Sequence, residues 1–443
     1  MNMNLPADVQ NIISILESNG HEAYAVGGCV RDCILGKVPH DWDITTSALP
    51  QQVKALFART FDTGIEHGTV TVLLNGVGYE VTTYRVDGKY EDGRHPKEVT
   101  FTASLEEDLK RRDFTINAMA YNDSQGLVDL FGGKEDLDNG IIKAVGDPME
   151  RFTEDALRML RALRFSAQLD FTIEENTVEA IRKLAPTLDR ISAERIQVEI
   201  IKLITSDHPD RLLDVYETGL TKVFFPEFDQ MITCEQNTKH HAYTVGMHTL
   251  KAMEAIAPEK VLRLTMMLHD IAKPVCKVTD ENGHDHFKGH PTKGAEMAKE
   301  IMRRLKFDND TINKVCNLVK NHDDRPEVNP RNVRRMIIRV GQENFMDLMA
   351  VKRADTSAQS SFERDEKYAY IDSLEAMYQQ IMADNDCLRI KDLKINGKDL
   401  ISMGVPQGQK IGEILNALLN EVVDSPELNE RDYLVNRVKD MLQ

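Results

Sequence analysis

Nowhere in this 443-residue chain is there an apolar run long enough to cross a bilayer, although 41% of its residues are hydrophobic. A helix-spanning membrane protein is therefore excluded. Met1-Asn2-Met3-Asn4-Leu5-Pro6 also lacks the charged start and apolar stretch of a secretory signal, which predicts a cytoplasmic protein. Cysteine is sparse. Six residues (Cys29, Cys33, Cys234, Cys276, Cys316, Cys387) are scattered without a C-x-x-C, so neither a disulfide framework nor a zinc finger is indicated, and no disulfide partner is expected. Positive charge is in deficit: 55 Lys and Arg face 72 Asp and Glu, a formal net charge of −17. A field of that sign does not attract nucleic acid, so any RNA site must be a local basic stripe. Lys110-Arg111-Arg112, the series Arg158, Arg161, Arg164 and the cluster Arg331, Arg334, Arg335, Arg339 are candidates, each also readable as a solvated helix face. No internal repeat or low-complexity tract is present.

Several domains are expected at this length. The first ~145 residues mix strand and helix signals. Glu22–Val26 and Asp41–Thr45 read as strands, Gln51–Phe57 as a helix, and Thr69–Leu74 with Tyr79–Tyr84 as a hairpin turning at Asn75-Gly76-Val77-Gly78. Leu105–Tyr121 has helical periodicity. Beyond Asp147 the pattern is almost wholly helical, with helices predicted over Glu154–Ala167, Glu174–Leu184, Ala193–Ile204 and Pro209–Thr218. Nearly all histidines fall between about 235 and 360. The expected division is a head over 1–145, a helical neck and body over 146–230, a histidine-rich domain over 231–360 and a helical tail over 361–443. An α+β head with a long helical body follows.

Gly27-Gly28-Cys29-Val30-Arg31-Asp32 precedes Asp41-Trp42-Asp43 by nine residues. Side chains alternate on a strand, so Asp41 and Asp43 project together and would share divalent cations that neutralise phosphate during in-line nucleotidyl transfer. The glycines let backbone N–H groups approach a phosphate. Glu80, on a strand expected to lie near these aspartates, is a third carboxylate for metal or transition state. Arg112 suits a triphosphate, because guanidinium binds phosphate oxygens bidentately. In Glu154-Asp155-Ala156-Leu157-Arg158, Asp155 and Arg158 sit i,i+3 on the predicted helix, with Arg161 and Arg164 continuing along the same face. An acceptor beside a donor pairs with the edges of cytosine and adenine, and leaves both groups unpaired against uracil or guanine. Such a mismatch in a buried site gives rejection on the order of 10⁴-fold. A surface salt bridge is the alternative reading of the same pair.

G-G-C-V-R-D, D-W-D, R-R-D-F-T-I-N-A-M-A and E-D-A-L-R-M-L-R-A-L-R-F, in this order, resemble the class II tRNA nucleotidyltransferases, the CCA-adding enzymes. Ala144-Val145-Gly146-Asp147-Pro148 and Arg190-Ile191-Ser192-Ala193-Glu194-Arg195-Ile196 match the family's downstream motifs, so the resemblance is close over roughly residues 20 to 230. It implies a polymerase-β-like head and template-independent addition of C-C-A to tRNA from CTP and ATP, with release of pyrophosphate. By the same resemblance Asp41 and Asp43 would hold Mg²⁺, Gly28, Arg31 and Arg112 would contact the nucleotide, and Asp155 and Arg158 would read its base beside Arg161 and Arg164. An intact loop over Arg85–Pro96 favours complete addition, or A-addition, over C-C-addition alone. A poly(A) polymerase or A-adding member of the family is the rival reading.

His248, His269-Asp270 and Asp355 resemble the H…HD…D pattern of HD-domain phosphohydrolases, with His290 and His322 available for a second metal position and His241 a rival for the first ligand. Imidazole with carboxylate suits Mn²⁺, Ni²⁺, Mg²⁺ or Fe²⁺ better than a thiol-rich zinc site would. The resemblance implies phosphatase or cyclic phosphodiesterase repair of RNA ends. A protein that is chiefly such a hydrolase, with an RNA-binding head, is the alternative from another class. Arg331–Arg339, Gly397-Lys398-Asp399 and Gly408-Gln409-Lys410 are further candidate tRNA-backbone contacts, with helix capping the competing reading of the two glycine motifs.

Overall fold

The computed structural model describes residues 3–87, 99–240 and 242–442. His241 and most of the loop at 88–96 lie outside the described residues. The chain divides into two compact units, Met1–Pro226 and Glu227–Gln443.

The first unit is built on a mixed seven-stranded sheet. Its strands run in the order Thr60–Gly64, Thr69–Leu74, Val77–Thr83, Asp43–Thr46, Ala23–Val26, Met119–Asn122, Gly126–Asp129. The expected hairpin is there, with Val70 opposite Val81 and both fully buried. Asp43–Thr46 lies parallel to Val77–Thr83 and antiparallel to Ala23–Val26, which places it at the centre, where Ile44, Thr45 and Thr46 are inaccessible to solvent. Helices follow the sheet, Ala193–Ile204 among them with the predicted bounds.

Three expectations are corrected here. The strand expected from Asp41 begins at Asp43. Its antiparallel partner ends at Val26 and turns at Gly27 (φ 82°), so on that side Asp41 and Trp42 have no strand to pair with. Leu105–Tyr121 is not one helix: Leu105–Lys110 is helical, Thr115–Asn117 is a 3₁₀ turn and Met119–Asn122 is a strand. Ala118 to Tyr121 is a short apolar run, and its pairing with Ala23–Val26 decides for strand over helix. The helix expected over Glu154–Ala167 is two, Pro148–Glu154 and Leu157–Leu169, broken at Asp155 (φ −141°, ψ 104°). Thr60–Gly64 is a strand that the sequence pattern did not mark.

The second unit is helical apart from a two-stranded ribbon at Val278–Thr279 and Asp285–His286. Val333, Met336, Phe345, Leu348 and Leu374 share one core cluster, and Leu400, Leu418, Val422, Leu434 and Val438 form another toward the end of the chain.

Candidate active site and metal centre

Parallel pairing of Asp43–Thr46 with Val77–Thr83 makes Asp43 and Glu80 register partners. Both line a cavity of about 620 Å³, together with Asp41, Trp42, His40 and Tyr79. Burial pushes both carboxyls up, and mutual repulsion adds to it: Asp41 raises Asp43 while Arg112 opposes, and Asp43 and Asp41 raise Glu80. Carboxylates crowded so that each disfavours its neighbour's charge suit a divalent cation.

Beside them Arg112 lies against Gly27, where a Cβ would come within 3.0 Å of its Nη1. The residue touches protein carboxylate only weakly, at 3.5 Å to Asp108, and its buried Nε has no partner among the described residues. A guanidinium with spare donors next to a backbone turn can take phosphate oxygens. Asp108 is instead held by Arg111 at 2.7 Å and by Thr45. Gly28 opens the short helix Gly28–Ile34, and Arg31 on that helix spans Asp32 and Asn117. Its guanidinium lies 5.1 Å from the Phe165 ring centre, with those of Arg161 at 5.5 Å and Arg164 at 3.9 Å, so three cations gather around one aromatic ring.

Asp155 and Arg158 do not share a helix face as expected. The break frees the Asp155 carboxylate to accept from the Leu157 N–H at 3.0 Å, serving the start of the next helix, and to pair with Arg195 at 2.7 Å. Arg158 donates to Glu154 at 2.7 Å and to the carbonyls of Arg151 and Arg111. Arg161 pairs with buried Asp113 at 2.6 Å, and Arg164 reaches Glu199 at 3.0 Å. Against the upward pull of burial, Arg161 and Arg158 hold the Asp113 carboxyl down at about 2. Burial lowers Arg164 to about 10 despite Glu199. Asp113, Arg195 and Glu199 were not singled out from sequence. Arg195 and Glu199 lie i,i+4 on one helix, a spacing that signals a shared face without naming its partners.

In the second unit, His248, His269, Asp270, His290, His322 and Asp355 come together from five stretches of chain. Each of four imidazoles holds a backbone carbonyl through Nδ1: His248 to Ala358 (3.3 Å), His269 to Met266 (2.7 Å), His290 to Phe287 (2.8 Å), His322 to Val319 (2.7 Å). A carbonyl only accepts, so each Nδ1 carries a proton and each Nε2 faces the centre, where it can donate to a carboxylate when protonated or offer a lone pair to a metal ion when not. The Nε2 atoms of His248 and His269 are 3.3 Å apart, as are those of His290 and His322. Ring nitrogens so close repel unless a proton or a metal cation lies between or beside them.

Asp270 joins the two pairs. Its Oδ2 is 3.2 Å from His269 and 3.6 Å from His248, and its Oδ1 is 3.4 Å from His290 and 3.6 Å from His322. No hydrogen bond of acceptable geometry reaches Oδ1 among the described residues. Asp355 reaches His248 at 2.9 Å, and Lys273, which sequence reasoning passed over, reaches Asp270 at 2.7 Å. Against burial, His269 and Lys273 keep Asp270 well below the usual carboxylate range, and the bond from His248 does the same for Asp355. Buried, oriented N and O donors of this kind fit a divalent transition ion.

The basic stretch expected to meet RNA is committed within its own unit. Arg331 and Arg335 both pair with Asp424, Arg334 with Asp386 and the Val423 carbonyl, and Arg339 with Asp324. Lys398 lies in a capping box, with Asn396 accepting from its N–H and Asp399 accepting from that of Asn396. Lys410 is in the first turn of the helix Gln409–Asp424.

Family models for the poly A polymerase head domain, for the RNA and SrmB-binding site of polymerase A and for tRNA nucleotidyltransferase domain 2 match residues 23–143, 170–232 and 291–438. The CCA-adding enzyme of Ligilactobacillus salivarius is 36% identical over 454 aligned residues, covering 99% of this chain and 98% of that one. Among solved structures, the Bacillus stearothermophilus CCA-adding enzyme in complex with CTP superposes with a TM-score of 0.73 at 30% identity, covering 99% and 98% of the two chains. The Thermotoga maritima CCA-adding enzyme complexed with tRNA shares the fold, with a TM-score of 0.57 at 21% identity over 99% and 97%. No helix among the described residues is long and apolar enough to cross a membrane.

Proposed function

The chain belongs to the CCA-adding enzymes, a family of tRNA nucleotidyltransferases, and from that premise we propose that its head adds C, C and A to the 3′ end of tRNA from CTP and ATP. The observation that carries this reading is the register pairing of Asp43 with Glu80 beside Asp41, with the unspent guanidinium of Arg112 alongside. Asp41 and Asp43 would hold Mg²⁺, which would neutralise the phosphate oxygens around the α-phosphorus. Glu80 steadies the Asp43 side of the site and accepts the proton of the attacking hydroxyl. The tRNA 3′-oxygen bonds to the α-phosphorus as the bond to the β-phosphate breaks, and pyrophosphate leaves. Gly28, Arg31 and Arg112 bind the triphosphate. Asp155 and Arg158 read the base beside Arg161 and Arg164, which requires Arg158 to exchange Glu154 for the incoming nucleotide, while Arg195 keeps the Asp155 carboxylate oriented.

The test supplies the purified protein with Mg²⁺ and a tRNA ending at its discriminator base, and sizes the products at single-nucleotide resolution. Three additions with CTP and ATP together, and two with CTP alone, are expected. A long A ladder would replace this reading with poly(A) polymerase.

The second unit is assigned an HD-type phosphohydrolase role on phosphorylated RNA ends. Its support is the inward set of Nε2 atoms around Asp270. His248, His269, Asp270 and Asp355 would hold one ion, and Asp270, His290 and His322 a second. The chemistry such an ion would supply is a lowered pKa of bound water and polarisation of the phosphoryl group. Lys273 adds a positive charge beside the bridging carboxylate, and the buried imidazoles keep their orientation through the backbone carbonyls. A tRNA end blocked by a phosphate has no 3′-hydroxyl to extend, so hydrolysis here would restore the substrate of the head. Substitution of His269 and Asp270 should abolish metal-dependent phosphate release, and unchanged release would sink the assignment.

A further inference from the structure

The helix Phe345–Ala358 reaches the histidine-rich centre through Asp355, Ala358 and Lys352. Asp355 lies 2.9 Å from His248 Nε2, and the carbonyl of Ala358, at the helix end, accepts from His248 Nδ1 at 3.3 Å. Both contacts serve the first ion position. Lys352 stands one turn before Asp355 and so beside it on the same face. Its side chain runs to the other position. Nζ donates to the carbonyl of His322 at 2.7 Å and to that of Asp324 at 2.5 Å.

Lys352 is 6% exposed, and its partners are carbonyls, with no carboxylate at ion-pair distance among the described residues. Burying an ammonium without a counter-ion is costly, so a side chain serving packing alone would be apolar here. What the ammonium gains is a hold on a helix end. The helix Asn309–Asn321 stops just before His322, its C-cap, where carbonyls have no partner within the helix. The bond from His322 Nδ1 to the Val319 carbonyl, at 2.7 Å, fixes how the imidazole turns relative to its own helix. It does not fix where that helix end lies. Lys352 does, by tying it to the helix that carries Asp355.

We propose that Lys352 is a positioning residue for the second ion. By holding the His322 backbone it keeps His322 Nε2 at 3.3 Å from that of His290 and at 3.6 Å from Asp270 Oδ1, the arrangement an ion shared by the three needs. The inference rests on the two-ion reading of this centre. Its sign distinguishes it from other roles. An ammonium repels a divalent cation, so charge alone predicts that removing Lys352 strengthens metal binding. A general contribution to the fold predicts that both positions weaken together. Positioning of His322 predicts that the second weakens and the first stays, because the first draws on His248, His269, Asp270 and Asp355.

The experiment titrates the full chain with Mn²⁺ and follows the bound ions by electron paramagnetic resonance. Two Mn²⁺ ions bridged by one carboxylate couple and give a spectrum unlike that of isolated ions. His290→Gln, which lacks a ligand of the second position, marks the share of the coupled signal that belongs to this centre, and the head is the same in every form. Lys352→Met should lose that share at Mn²⁺ concentrations that saturate wild type. Its second dissociation constant is expected to rise about 10–100-fold, with the first changed by less than about threefold. Lys352→Arg, for which the adjoining cavity of about 250 Å³ has room, keeps donors for both carbonyls and should restore most of the signal. Equal weakening of both positions in Lys352→Met, tighter binding at either, or a coupled signal like that of wild type would each overturn the proposal. So would a Lys352→Arg variant no better than Lys352→Met. A wild type whose spectrum matches that of His290→Gln would remove the two-ion reading itself, and the proposal with it.

Discussion

Replacing Asp113 by Asn isolates one charge in the nucleotide-binding half. Asp113 is 8% exposed; its Oδ2 accepts from Arg161 Nε at 2.7 Å, and its Oδ1 from the Phe114 N–H and Asn117. Asn keeps the shape and loses the charge, as protonation would. The folded carboxyl stands at about 2 against an ordinary 3.8, close to two units. At roughly 1.4 kcal/mol per unit this is about 2–3 kcal/mol of folding stability. The folded value is depressed, so the stabilisation is complete above pH ~4 and is lost as pH falls toward 2. Asp113→Asn should therefore cost about 2–3 kcal/mol at pH 7, with the gap to wild type closing between pH 4 and pH 2. Trp42 is the single tryptophan of the chain and lies in the same unit, so its fluorescence during urea unfolding follows that unit alone. A gap under ~1 kcal/mol at pH 7, or one that stays constant down to pH 3, would show that the Arg161 pair does not hold this charge.

Asp41→Ala or Glu80→Gln should lower nucleotide incorporation by at least about 10²-fold while phosphate release by the second unit continues, and parallel loss of both would contradict independent sites. Gly27→Ala places a Cβ in left-handed backbone and within 3.0 Å of Arg112. A raised nucleotide KM with about 1–2 kcal/mol lost stability is expected, and unchanged kinetics would remove Arg112 from the triphosphate. Asp270→Asn should reduce bound transition metal at both positions together, measured by mass spectrometry after dialysis, because Asp270 belongs to both triads. Retention of the wild-type metal content would mean that the two oxygens do not bridge.

Local chemistry made the central strands, the hairpin and the helix Ala193–Ile204 readable, because each has its own period and its own turn residues. The six residues of the histidine-rich centre were identified individually, since His-Asp adjacency and histidine density are visible in a linear chain. Their closure around Asp270 was not, because it depends on how five stretches pack. The errors have a common cause. Whether Met119–Asn122 is a strand depends on Ala23–Val26, and whether a helix breaks at Asp155 depends on Arg195, forty residues on. The same holds for Arg331, Arg334 and Arg335, whose acidic partners Asp386 and Asp424 lie far along the chain.

The proposed metal ligands of the second unit run from His248 to Asp355 and belong to segments that the unfolded chain would scatter. An ion held by them binds the folded unit and has little affinity for the disordered one, so its free concentration sets the melting temperature of that unit. At a thousandfold excess over the dissociation constant the gain is about 4 kcal/mol. The first unit has no share in those ligands. Metal starvation would thus lower one melting transition and leave the other in place, turning a single chain into a two-step thermometer of ion supply.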